Sequence, residues 1–116
     1  MELQAHNIEL AHTNALHAAR QASQDFVDRH FGGRDGGACG FASVKVYGLR
    51  ANSRVGKALA EVTGARKWSH DQAFHIPNTW YRGQSVDAAD AGAQAYKEVF
   101  KQLTGLDKVY AASRLD

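Results

Sequence analysis

From Met1 to Phe31 the chain contains neither glycine nor proline, and at Gly32 that run stops. The stretch is rich in alanine, and Ile8, Ala11, Ala15, Ala19, Ala22 and Phe26 recur at spacings of three or four. That spacing predicts one long amphipathic helix. Its buried face is made of small residues, so a second helix can approach closely, and an alanine face of this kind suits a helix pair across a dimer. Gly32 and Gly33 end the helix by accepting positive φ. The GGRDGG segment is then expected to be a flexible connector.

Beyond the connector the elements are short. Residues 39–47, CGFASVKVY, alternate Phe41, Ser43 and Lys45 against Ala42, Val44 and Val46, a strand with one buried face. Gly48 ends it. Ser53, or alternatively Asn52, is placed to cap a helix striped by Val55, Leu59 and Val62 and closed by Gly64. Residues 66–69 and 73–76 read as strands joined through SHDQ and closed by Pro77. NTWYRGQS is a loop. Asp87, with Asp90 three residues on, is expected to cap a last helix lined by Ala91, Ala95, Val99 and Leu103 and widened by Tyr96 and Phe100. Gly105 terminates it, and residues 108–112 form a final strand.

The expected fold class is therefore α+β. An N-terminal helix precedes a split β-α-β-β-α-β unit, whose small, mainly antiparallel sheet carries its helices on one face. The 116 residues suit one domain: helix 1–31, connector 32–39 and α/β sandwich core 40–116.

The net charge of +2 is unevenly spread. Residues 40–86 hold seven basic side chains (Lys45, Arg50, Arg54, Lys57, Arg66, Lys67, Arg82) against Glu61 and Asp71, while the segments on either side are slightly acidic. A positive field of this kind attracts phosphates, on a polymer or on a small ligand. No apolar run is long enough for a membrane span. The acidic, polar N-terminus does not read as a secretory signal. The single cysteine, Cys39, excludes an internal disulfide and fits a reducing cytoplasm. Beside a strand, it is expected as a small buried apolar residue.

Three constellations bear on ligand binding. In YGLRANSRVGKAL a helix N-terminus, which leaves backbone N–H groups unpaired and favours anions, is ringed by Arg50, Arg54 and Lys57, with Asn52 and Ser53 at the cap. Arginine grips a phosphate with two parallel hydrogen bonds and lysine acts as a point charge. Gly56-Lys57 is followed by Ala58, so the pattern is not a P-loop. In NTWYRGQSVD, Trp80 or Tyr81 could stack on a purine while Arg82 reaches its phosphate; a loop tryptophan is equally an ordinary core plug. In the tail, Arg114 follows the last strand. That strand runs antiparallel to the first, which puts Arg114 at the opposite end of the sheet from Arg50 and Arg54. A ligand shared by all three would then lie between chains.

No catalytic constellation is evident. His6, His12, His17 and His30 lack the i, i+4 spacing of a zinc helix, and His70 and His75 flank a hairpin. The expectation is a chain that is not an enzyme, with no catalytic residue, no metal and no cofactor.

The strings GGACGFASVKVYGLRANSRVGKAL, GQSVDAADAGAQAYKEVF and ASRLD resemble small proteins of tailed bacteriophages, over most of the chain after Gly36. The layout is similar to the first anti-Thoeris family, phage sponges that bind a cyclic ADP-ribose isomer without cleaving it, through arginines and aromatics at subunit interfaces. The resemblance implies a homo-oligomer, dimer or higher, in the cytoplasm of an infected host cell. It joins the charge argument in one expectation: non-catalytic sequestration of a small phosphate-containing nucleotide signal by Arg50, Asn52, Ser53, Arg54, Lys57, Trp80, Arg82 and Arg114. The alternatives are a basic nucleic-acid-binding module, in which a small sheet with exposed aromatics stacks single-stranded bases, or a phage inhibitor docking on a host protein.

Overall fold

The structure is a computed structural model that describes residues 3–115. Seven elements follow in order: α1 (Ala5–Phe31), β1 (Gly40–Val46), α2 (Arg54–Thr63), β2 (Arg66–Lys67), β3 (Phe74–Pro77), α3 (Val86–Thr104) and β4 (Val109–Leu115). The strands form one sheet, β2-β3-β1-β4, with every neighbouring pair antiparallel. α2 carries the chain from β1 to β2 past β3, and α3 carries it from β3 to β4 past β1. This is the expected split β-α-β-β-α-β arrangement behind an N-terminal helix.

The strand alternation decides the layering. Ala42, Val44 and Val46 of β1, Phe74 and Ile76 of β3 and Val109 of β4 are buried toward the helices. α3 packs on β1 and β4, and α2 touches β3. α1 lies along α3 and against α2, forming an outer layer. The sheet's other face is open.

Several boundaries differ from the sequence expectation, each for a physical reason. The stripe buried on α1 is Ile8, Ala11, Ala15, Ala19, Ser23 and Val27, leaving Ala22 and Phe26 half-buried. Steps of four residues overshoot a 3.6-residue turn, so the stripe winds round the helix as α1 follows α3. Ser23 is buried because its Oγ donates to the Ala88 carbonyl at 2.7 Å. The alanine face expected to pair across a dimer is consumed within the chain: Ala11, Ala15 and Ala19 are fully buried. Gly92 permits this close approach, since a Cβ there would lie 2.3 Å from Trp80 Cδ1 and 2.4 Å from Ser23 Oγ.

On α3 the cap is Ser85, whose Oγ accepts from the Ala88 N–H at 3.2 Å; Asp87 stands in the first turn instead. The buried side is Ala89, Gly92, Ala93, Tyr96 and Phe100, while Leu103 is exposed, because α3 is covered by the sheet on one side and by α1 on the other. Tyr96 stacks on Phe100 with 5.4 Å between ring centroids and lies 5.5 Å from Trp80. β2 is shorter than expected, and β4 is longer, reaching Leu115 and taking Arg114 into the sheet.

The glycine-rich connector is tied down rather than loose. The Asp35 carboxylate accepts from the Tyr81 hydroxyl and from the backbone N–H groups of Gln84, at 2.8 Å, and Ser85, at 3.2 Å. The Tyr81 bond and then these N–H bonds hold the Asp35 carboxyl below its ordinary range. Burial and the facing carboxylate push the Tyr81 phenol up to about 12. Cys39 is exposed, its Sγ donating to Gln84 Oε1 at 3.3 Å, and so is not the buried apolar residue expected.

Candidate functional site on the open face of the sheet

The eight residues singled out in the sequence fall in separate places. Ser53 caps α2: its Oγ accepts from the Gly56 N–H at 3.0 Å and donates to the Arg50 carbonyl at 2.7 Å. One of the terminal N–H groups offered to an anion is therefore already occupied. Arg50, Asn52, Arg54 and Lys57 are exposed around this end of the helix. Arg82 is exposed in the loop before α3.

Trp80 is in the core, 5 % exposed, with its indole N–H donating to the Ala89 carbonyl at 2.9 Å. Asn78 Oδ1 accepts from the backbone N–H groups of Trp80 and Tyr81 and turns the indole inward. It is a plug between the loop and α3 and offers no ring face to a ligand. Arg114 is on β4 directly opposite Phe41 of β1. The strand direction therefore puts it at the far end of β1 from Arg50, as the antiparallel arrangement requires.

Arg114 does border a hollow, on the open face. The hollow, of about 540 Å³, lies across the sheet there, lined by Phe41, Lys45, Arg66, Trp68, His75 and Arg114 among others. None of Arg50, Asn52, Ser53, Arg54, Lys57, Trp80 or Arg82 lines it. Pleating builds it: residues two apart on a strand share a face. Phe41, Ser43 and Lys45 on β1, His75 and Pro77 on β3, Arg66 on β2 and Ala112 and Arg114 on β4 all point away from the helices.

Two aromatic units bound the hollow. The Arg114 guanidinium lies 5.2 Å from the Phe41 ring centroid. Trp68 stacks on His75 with centroids 4.5 Å apart and planes at 16°. Both large rings are well exposed, Phe41 by 54 % and Trp68 by 48 %. The tight β2–β3 turn supplies the brace behind Trp68. Asp71 Oδ2 is 2.9 Å from His75 Nε2, 3.4 Å from Lys45 Nζ and 3.6 Å from His70 Nε2. Asp71 Oδ1 accepts from the Ala73 N–H at 3.0 Å. Desolvation pushes the Asp71 carboxyl up, but the Ala73 N–H, His75 and Lys45 outweigh it and hold it at about 2. The carboxylate thus fixes His75 beneath the indole.

Chemically, the hollow offers exposed π-faces, the cations of Lys45, Arg66 and Arg114 and the Ser43 hydroxyl, with no carboxylate among its described lining residues. Aromatic faces accept planar heterocycles, and arginine pairs accept phosphate or carboxylate. Sequence reasoning placed Lys45 and Arg66 in the basic third but did not assign them, and it missed Phe41, Trp68 and Asp71. A readable signal existed for Phe41: a large aromatic on the outward side of an alternating strand has no core to fill. Comparison of the chain with known protein families, curated proteins and solved structures finds no match.

Proposed function

We propose that this chain binds a phosphate-bearing nucleotide without converting it, and that the open face of the sheet is where the nucleotide seats. The observation that carries this reading is the pairing, in one hollow, of two exposed aromatic units with Arg66 and Arg114, beside Lys45, whose ammonium is held by Asp71. The base stacks on Trp68 or Phe41, a contact worth about 1–3 kcal/mol per base. The phosphate pairs with Arg66 or Arg114, where planar guanidinium groups supply two hydrogen bonds each. Sequestration needs affinity alone, so no acid, base or nucleophile is required.

In the sponge reading that the sequence resemblance implies, the guest is a cyclic ADP-ribose isomer or a related cyclic nucleotide. It is held in the cytoplasm of an infected host cell, and a second copy of the chain would close the hollow from above. Among the described residues, no helix is long and apolar enough to cross a membrane.

A thermal-shift panel of mononucleotides, cyclic dinucleotides and ADP-ribose isomers tests the reading. A ligand at 100 times its Kd stabilises by about 2.7 kcal/mol. Trp68→Ala and Arg66→Ala are expected to abolish the shift, whereas Arg54→Ala, at the start of α2, leaves it intact. Loss through Arg54→Ala alone would move the site to the helix terminus. No shift with any nucleotide or oligonucleotide would end the reading.

A further inference from the structure

The hollow between Phe41 and Trp68 is not isolated. A second, shallower hollow follows it along the same face, lined by Lys45, Tyr47, Lys108, Tyr110, Ala111 and Ala112. The two share Lys45 and Ala112. Tyr110 pairs with Lys45 across the β1–β4 ladder and is 52 % exposed. Its ring meets Tyr47 edge-on with centroids 5.8 Å apart. The second hollow resembles the first in character: the exposed Tyr110 and half-buried Tyr47 rings, Lys108 beside the shared Lys45, and no carboxylate among its described lining residues.

We infer that the open face is a track for single-stranded nucleic acid, along which successive bases stack from the Phe41–Trp68 hollow to Tyr110. This rests on the nucleotide-binding reading and names its substrate class. Phe41 and the position opposite Tyr110 are four residues apart on β1, about 13 Å at roughly 3.3 Å per residue. A strand drawn out to roughly twice its stacked rise of about 3.4 Å per nucleotide covers that distance with about three units. A lone nucleotide fills one hollow and leaves the other unused. Charge supports the same occupant: Arg114 lies at the Phe41 end, Arg66 and Lys45 stand level with His75, and Lys108 carries the cations on into the second hollow, as a row of phosphates requires. A duplex does not fit this design, because its bases are already paired and cannot lie flat on the rings.

The test is a ladder of one to eight nucleotides, dT and rU in parallel, titrated against the full chain by calorimetry. Affinity is expected to rise roughly 10-fold or more from one nucleotide to four, and then to level off. Tyr110→Ala is expected to bring the tetramer down toward the mononucleotide while leaving mononucleotide binding unchanged. Lys108→Glu, an exposed substitution, is expected to do the same, and a melting curve confirms that each variant is folded. The dT and rU arms show whether the ribose hydroxyl contributes. Equal affinity for one and four nucleotides, or binding of duplex as tight as single strands, overturns the track and leaves the nucleotide reading standing. Failure of every rung overturns the track; failure of the mononucleotide, cyclic dinucleotide and ADP-ribose panel as well overturns both.

Discussion

On one side of β1, Ala42, Val44 and Val46 are buried beneath the helices; on the other side of the same strand, Phe41 is exposed and Ser43 and Lys45 face solvent. The helix side is held by close fit. Small residues on α1 and α3 let the two helices and Trp80 meet, and Tyr96 and Phe100 fill what remains. The open side is held by the backbone ladder, and its large rings are about half exposed to water. The difference separates two kinds of constraint. Changes on the helix side are expected to alter whether the chain folds, and, in the proposed reading, changes on the open side alter what the folded chain holds.

The sharpest way to break that division is Tyr96→Ala. The ring is fully buried, stacked against Phe100, and its hydroxyl is 2.6 Å from His12 Nδ1. Truncation is expected to destabilise by about 3–5 kcal/mol, read from urea unfolding at constant m-value. Gly92→Ala comes next. The added methyl would overlap Trp80 and Ser23, and the expected cost is about 1–3 kcal/mol. If Gly92→Ala is neutral, the seam between α1 and α3 is looser than its geometry, and the contrast between the two faces weakens.

A smaller effect comes from His12, the titrating group that α1 sets against Tyr96. Burial and then the charge of Arg20 hold its imidazole below the ordinary 6.5. The folded state therefore binds fewer protons than the unfolded chain in the window below pH 6.5. The stability this contributes is complete above that pH and is lost as pH falls through the window. The urea midpoint is expected to drop between pH 7.5 and pH 5.5, and His12→Gln to flatten much of that slope. Asp71 has the same sign lower down: its contribution is present above the ordinary carboxylate value of 3.8 and is lost as pH falls toward about 2.

Much of the helix side was legible in the sequence, because periodicity and capping are local. The β1 alternation, the Ser53 cap and the glycines closing each helix all act within a few residues. The choice of Ser85 over Asp87 as a cap was not legible, since both are good caps and the partner loop decides. The drift of the α1 stripe toward Ser23 depends on the path of α3, which the α1 sequence does not contain. The open face was harder. Phe41 and Arg114 meet only through the β1–β4 register, and Trp68 becomes part of the face only because a tight turn folds it onto His75. The basic third of the chain contributes Lys45 and Arg66 to the open face and Arg114 comes from outside it; long-range strand pairing decides which cations share a face.

The smallest expected effect on stability is the most telling one. Phe41→Ala removes a half-exposed ring and its contact with Arg114, a cation–π pair at an exposed site worth about 0.5–1 kcal/mol. Trp68→Ala removes a half-exposed ring stacked on His75. Each is expected to shift unfolding by about 1 kcal/mol or less, in the range usual for surface positions. Both should nevertheless reduce the affinity for a single-stranded tetranucleotide by about 5-fold or more, because each removes a stacking surface worth about 1–3 kcal/mol in the complex. Unfolding and binding measured on the same two variants therefore discriminate directly. A large loss of stability would show that these rings support the fold. Unchanged stability with unchanged affinity would show that exposure of two aromatics on the open face has no bearing on nucleotides.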